Sequence, residues 1–102
     1  MKQIINGKTY DTATSEGLAE ASSDCGHGDF RYWEESLYRT PKGRYFVAGE
    51  GGPMSSWAKS CGQNSYSGGS GIRVLTEDEA RTWVEQWCNS EYEDIFGEAE
   101  SA

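Results

Sequence analysis

The stretch "FRYWEESLYRTPKGRYFVAGE", residues 30–50, leaves the chain little choice of local shape. Pro41 presets φ for the first half of a turn and Gly43 supplies a positive φ for the second, so Thr40 to Gly43 reverses the chain. The flanking runs are rich in aromatic and β-branched residues. They predict an antiparallel hairpin with strands over 30–39 and 44–49, on which Trp33, Leu37, Tyr45 and Val47 alternate in facing. Glu34 and Glu35 stand side by side, break the strict alternation, and suggest a bulge.

"GIRVL", residues 71–75, reads as a further strand and runs directly into "TEDEARTWVEQW". Thr76 and Glu79 have capping-box spacing, which predicts a helix of about three turns from residue 77. Ala80, Val84 and Trp87, with Trp83 beside them, form its apolar stripe, and Glu77, Asp78, Glu85 and Gln86 are left towards solvent. Acids in the first turn also suit the helix dipole. At the start of the chain, Asn6-Gly7 between two β-prone runs predicts a small hairpin. Asp11 or Thr12 is placed to cap a helix over 14–22, with Leu18, Ala19 and Ala21 as a weak apolar side. Near the C-terminus, Ser90 and Glu93 repeat the capping-box spacing. Tyr92, Ile95 and Phe96 fall at i, i+3, i+4, and Gly97 is placed to end the turn. The expected fold is therefore α+β. It is a single domain over 1–97 with an antiparallel sheet of three to five strands, a main C-terminal helix and a shorter N-terminal helix. A frayed acidic tail follows over 98–102.

Between Gly49 and Gly71 the composition shifts to seven glycines and six serines in 23 residues. A loop that long in a small domain is expected to be functional or mobile. It lacks the Gly-Lys-Ser/Thr of a phosphate-binding loop. Ser55 to Ser60 are expected to form one helical turn that docks Trp57.

Charge is distributed unevenly. Residues 1–75 carry eight acids and eight bases, whereas residues 76–102 carry nine acids and the single base Arg81, which accounts for the whole net charge of −8. Such a balance argues against direct nucleic-acid binding, which needs a basic footprint. It fits either a solubilising face or a surface that meets something basic. No run reaches the ~18 apolar residues of a membrane span, and the first residues lack the apolar core of a signal peptide, so a cytoplasmic protein is expected. Three cysteines, an odd number, fit reduced thiols. Cys25, His27, Cys61 and Cys88 make a four-ligand set on paper, but their spacing is poor for zinc and no metal or cofactor is expected. One histidine in a glycine turn, and two adjacent glutamates that point to opposite faces of a strand, give no basis for acid–base or nucleophilic catalysis. The chain is expected to be a binding protein rather than an enzyme.

"INGKTYDT", "FRYWEESLYRTPKGRYFVAGEGGPMSSWA", "GIRVLTEDEARTW" and "YEDIFGE", in that order, resemble a widespread family of short acidic proteins. Its members are encoded on phages, plasmids and integrated elements of Gram-positive bacteria. Small, acidic, enzyme-poor proteins of mobile elements are in turn similar to anti-CRISPR and anti-restriction inhibitors, many of which imitate the charge of DNA. The resemblance implies a partner that is a defence effector of the host cell, a Cas nuclease or a Cascade-type complex. A fixed row of carboxylates would occupy its basic channel in place of phosphates. The residues expected to meet it are Glu77, Asp78, Glu85, Glu91, Glu93 and Asp94, with Trp57 and Tyr66 as aromatic anchors. The alternative is an accessory or antitoxin-like regulator that binds a protein of the same mobile element.

Overall fold

A computed structural model describes residues 1–23, 26, 28–62 and 65–101, the side chain of Cys61 excepted. Its centre is an antiparallel sheet of four strands in the order β3-β4-β5-β8: β3 (Glu16–Ser22), β4 (Trp33–Arg39), β5 (Tyr45–Gly51) and β8 (Gly69–Leu75). Two separate hairpins flank it, β1 (Lys2–Ile5) with β2 (Lys8–Asp11), and β6 (Lys59–Gly62) with β7 (Ser65–Ser67). Helix α1 (Glu77–Trp87), a 3-10 turn (Asn89–Glu91) and the short helix α2 (Tyr92–Phe96) follow β8. The turns form for the reasons the residues give. Asn6 and Gly7 both take positive φ, 52° and 75°, and close β1–β2. Gly43, at φ 85°, closes β4–β5 through a Gly43 N–H to Thr40 C=O bond of 2.8 Å.

The expected α+β domain with an N-terminal helix is corrected by this architecture. The chain is mostly sheet, with eight strands in three sheets among the described residues, and both α-helices lie at the C-terminal end. Residues 14–22 form no helix; Glu16–Ser22 is the edge strand β3, paired from Glu16↔Arg39 to Ser22↔Glu34. The apolar side expected of a helix there was only Leu18, Ala19 and Ala21, and a strand buries Ala19 and half-buries the other two. A register shift between Gly17 and Ala19 adds Leu18 to the face on which Ala19 and Ala21 already lie, and all three pack on the core. Asp11 caps a turn instead of a helix: its Oδ1 accepts the Ala13 N–H at 2.9 Å. The bulge expected at Glu34-Glu35 is absent, because β4 runs in unbroken register with β5 from Trp33↔Gly51 to Arg39↔Tyr45.

Each face of the sheet has its own core. On one, Leu37, Tyr45, Val47 and Ala19 pack against Ala80, Trp83 and Val84 of α1. On the other, Phe46 and Ile72 pack under Tyr10 of the β1–β2 hairpin, with Tyr38 stacked on Phe46 at 5.2 Å between ring centroids. Phe46, Leu37, Val47 and Val84 are fully buried, each contributing about 1.5–3 kcal/mol by transfer from water. Gln3 Oε1 accepts the Ile72 N–H at 3.1 Å, so the first hairpin also covers part of the outer edge of β8.

Thr76 and Glu79 close the capping box at α1, the Thr76 hydroxyl accepting from Glu79 N–H at 3.1 Å and Glu79 Oε1 from Thr76 N–H at 2.9 Å. The apolar stripe holds Ala80, Trp83 and Val84, but Trp87 departs from it and is 44 % exposed. Ser90 and Glu93 do not form the expected second box: α2 has no side-chain cap, and Gly97, at φ 90°, ends it. Residues 49–71 are not one long loop either. β5 extends to Gly51, β8 begins at Gly69, and β6–β7 fills most of the interval. Ser55 to Ser60 make consecutive turns and then enter β6, with no helical turn.

Candidate functional site

Alternation along β4 sends Glu35 to the same face as Leu37, under α1, where it is 7 % exposed. A buried carboxylate needs donors. Glu35 has three. Oε1 accepts from the Trp83 indole at 2.8 Å, Oε2 from the Trp57 indole at 2.9 Å, and Arg73 Nη2 lies 3.4 Å from both oxygens. The Arg73 guanidinium also sits over the Trp57 ring, 5.2 Å from its centroid. Residues from β4, β8, α1 and the segment after β5 thus meet at one carboxylate.

Glycine makes this meeting possible. Across the sheet Glu35 pairs with Gly49, and Gly49 with Gly71, so the face beside the carboxylate has no side chains. The Trp57 ring lies in that space. A Cβ on Gly49 would stand 2.5 Å from Trp57 Cε2 and Cζ2, well inside contact. Gly51 and Gly69, one pair further along, leave room in the same way for Ser55 and the Trp57 backbone. Four of the seven glycines of residues 49–71 thus make a bare strip on the sheet, over which the segment after β5 is laid. The signal in the sequence is the i, i+2 spacing of Gly49/Gly51 and Gly69/Gly71, which reads as one strand face stripped of side chains.

A groove of about 760 Å³ opens above this network, with Glu35, Trp83 and Arg73 at its inner side. Trp33, Trp87, Met54 and Leu75 supply apolar wall, and Arg31, Asp78 and Glu79 supply charge. Trp33 and Trp87 meet edge to face, 4.8 Å between centroids at 68°. Sequence reasoning placed Trp33 on the hairpin and Trp87 in the core, and did not connect them.

Beyond its core, the second face of the sheet carries an acidic pair. Glu34 and Glu50 lie directly opposite each other on β4 and β5, a like-charge pairing that opposes sheet formation. The buried Tyr32 hydroxyl beside them is pushed up to about 12, by burial first, then by its hydrogen bond to Glu34 and the charges of Glu34 and Glu50.

Of the residues expected to meet a partner, Glu77, Asp78, Glu85, Glu91, Glu93 and Asp94 are all exposed on α1, the 3-10 turn and α2. Tyr66 is exposed on β7. Trp57 is not a free anchor: it is half-buried and its indole is committed to Glu35. Arg81, the only base in residues 76–102, is turned into the helix surface. Its Nη1 donates to Tyr92 Oη at 2.9 Å, Nη2 lies 3.5 Å from Glu77, and its guanidinium covers the Phe96 ring at 4.8 Å. Cys25 and His27 of the paper zinc set lie outside the described residues, as does the Cys61 side chain. Cys88 Sγ donates to the Glu20 carbonyl at 3.1 Å, and burial pushes its thiol up. Among the described residues no three His, Cys, Asp or Glu side chains are grouped to hold a metal ion, and no helix is long and apolar enough to cross a membrane. Comparison with protein-family models, curated proteins and solved structures finds no match to this chain.

Proposed function

We propose that this chain is a non-enzymatic inhibitor of a bacterial defence effector, of the anti-CRISPR kind, that binds a Cas protein or complex through the acidic surface of α1 and α2. The observation that carries the reading is the disposition of Arg81. With that guanidinium held between Glu77, Tyr92 and Phe96, the outward groups of the two helices are carboxylates without a competing cation from their own segment. These carboxylates stand on elements packed against the core through Trp83, Val84, Ile95 and Phe96, so their spacing is fixed. A fixed anionic row is what a lysine- and arginine-lined channel accepts in place of phosphates, and a net charge of −8 speeds the encounter. Glu35, the buried carboxylate, accepts from two indoles and pairs with Arg73, an arrangement that suits a structural role.

Reversal of Glu91, Glu93 and Asp94 to lysine tests the reading. It moves the net charge from −8 to −2 at exposed positions. Association with a purified Cas effector is expected to slow, and the parent's association to slow as salt rises, because the Debye length falls to about 8 Å at physiological ionic strength. Equal association rates for folded parent and variant at low salt would reduce the acidic surface to a solubilising face.

A further inference from the structure

The two helices that carry the acidic surface are held in different ways. α1 buries Ala80, Trp83 and Val84 and closes its own capping box. α2 has five residues, no side-chain cap and no buried residue; Tyr92, Ile95 and Phe96 are each only half-buried against the core. A helix this short does not persist in water on its own, so whatever docks it also forms it. The 3-10 turn before it adds one bond to α1, from Asn89 Nδ2 to the Glu85 carbonyl at 3.3 Å. The remaining fastening converges on Arg81. Its Nη1 donates to Tyr92 Oη at 2.9 Å, and its guanidinium lies 4.8 Å from the Phe96 centroid and 6.0 Å from that of Tyr92. Tyr92 and Phe96, four residues apart, share one face of α2, so a single guanidinium engages both. Phe96 also meets Tyr45 of β5, 5.8 Å between centroids. Without Arg81, residues 76–102 would hold nine acids and no base, and the two helices would repel each other.

We propose that Arg81 is a latch. It positions α2 on α1, and with it the carboxylates of Glu91, Glu93 and Asp94; its loss frees α2 while the sheet and α1 stay folded. For its consequence in binding the proposal rests on the acidic-surface reading, and it names the residue that gives that surface its shape. The sign of that consequence is distinctive. Arg81→Met changes the net charge from −8 to −9, so attraction by net charge alone favours the variant. A row of carboxylates that must be held in place binds worse in the variant, despite its extra charge.

The latch is tested on the full chain, without a partner, by amide hydrogen exchange and by nuclear Overhauser contacts between the Phe96 and Tyr45 rings. Gly97 N–H, bonded to the Glu93 carbonyl at 3.0 Å, reports on α2; Ala80 N–H, bonded to the Thr76 carbonyl at 2.9 Å, reports on α1. Arg81→Met is expected to speed exchange at Gly97 about tenfold and to remove the ring contact, with Ala80 and the amides of β4 and β5 unchanged. Tyr92→Phe, which removes only the hydroxyl, should act in the same direction and less. Glu77→Gln removes the ion pair within α1 and leaves the latch, so Gly97 should not respond. Three results overturn the proposal: unchanged exchange at Gly97 in Arg81→Met, loss of protection or of folding throughout the chain, or an effect of Glu77→Gln as large as that of Arg81→Met. Binding to a purified Cas effector adds the second reading. The Arg81→Met complex is expected to dissociate faster than the parent's, and equal or slower dissociation would show that the latch does not shape the binding surface. Failure of the exchange experiment leaves the acidic-surface reading standing. Conversely, unchanged association of the charge-reversed variant removes that reading without touching the exchange result.

Discussion

At Glu35 two chemical demands meet: a buried charge that needs donors, and two indoles, Trp83 buried and Trp57 half-buried, that need an acceptor. Substituting Gln keeps the shape but leaves one oxygen where there were two, so one indole N–H faces an amide N–H. Glu35→Gln is therefore expected to cost about 1–3 kcal/mol, read as a lower urea midpoint at unchanged slope. Arg73→Gln should cost less than about 1 kcal/mol, since its side chain is 44 % exposed and water replaces the ion pair. The reverse order would mean that the ion pair, not the indole bonds, holds the carboxylate. Gly49→Ala probes the same site from below. A Cβ at 2.5 Å from Trp57 must displace the ring, and a loss of about 1–3 kcal/mol with a changed tryptophan emission is expected. Little of this was legible from the residues alone. Glu34-Glu35 was visible as an anomaly, but which of the two turns inward depends on strand phase, and the donors arrive 22 to 48 positions later. The alternate glycines were in plain view as composition; their meaning required knowing that two strands place them opposite each other.

Elements were more legible where a local rule and the tertiary fold agreed. Pro41–Gly43, Asn6-Gly7 and the Thr76/Glu79 box each act within a few residues, and each turn or cap forms. The first helix failed because its evidence was a cap signal and three small or medium apolar residues, while an open edge of β4 offered seven residues of backbone pairing. Propensity yields to such an offer. The same distinction separates the two tryptophans of α1. Trp83, 6 % exposed and bonded to Glu35, should cost about 3–5 kcal/mol on truncation to alanine. Trp87→Ala should cost about 1 kcal/mol, the loss of its edge-to-face contact with Trp33. Thermal melts of the two variants check the order, and similar shifts would place Trp87 in the core after all. The helix start has a pH signature as well. The Thr76 backbone N–H, then its hydroxyl, holds the Glu79 carboxyl below its usual carboxylate range. A depressed folded value means that the contribution is present above the unfolded pKa and lost as pH falls through the folded one. Glu79→Gln should flatten that part of the acid limb in urea melts taken between neutral pH and the carboxylate range, and an unchanged limb would show that the box bond is not made in solution.

On the scale of the whole molecule, charge and fold pull against each other. The seventeen acids outnumber nine bases, and the excess is concentrated after residue 75, on two helices and the chain that follows them. Self-repulsion of this kind favours expansion, and dissolved ions weaken it. The surface ion pairs Arg39–Glu16, Arg31–Asp29 and Arg81–Glu77 act in the opposite sense, since salt weakens them too. Each is partly exposed and contributes at most about 1 kcal/mol, and three such pairs do not offset a uniform excess of eight charges. The melting temperature of the parent is therefore expected to rise with sodium chloride from low to physiological ionic strength. The Glu91/Glu93/Asp94→Lys variant carries −2 and should melt with a clearly smaller salt dependence, even though it loses the 3.0 Å bond from Ala99 N–H to Glu93. This comparison needs no partner and isolates what the acids do to the chain itself. If parent and variant respond equally to salt, the C-terminal carboxylates are too far apart to repel one another. A row too dilute to repel itself is also too dilute to stand in for a phosphate backbone, so the same melts bear on whether the acidic surface can imitate nucleic acid at all.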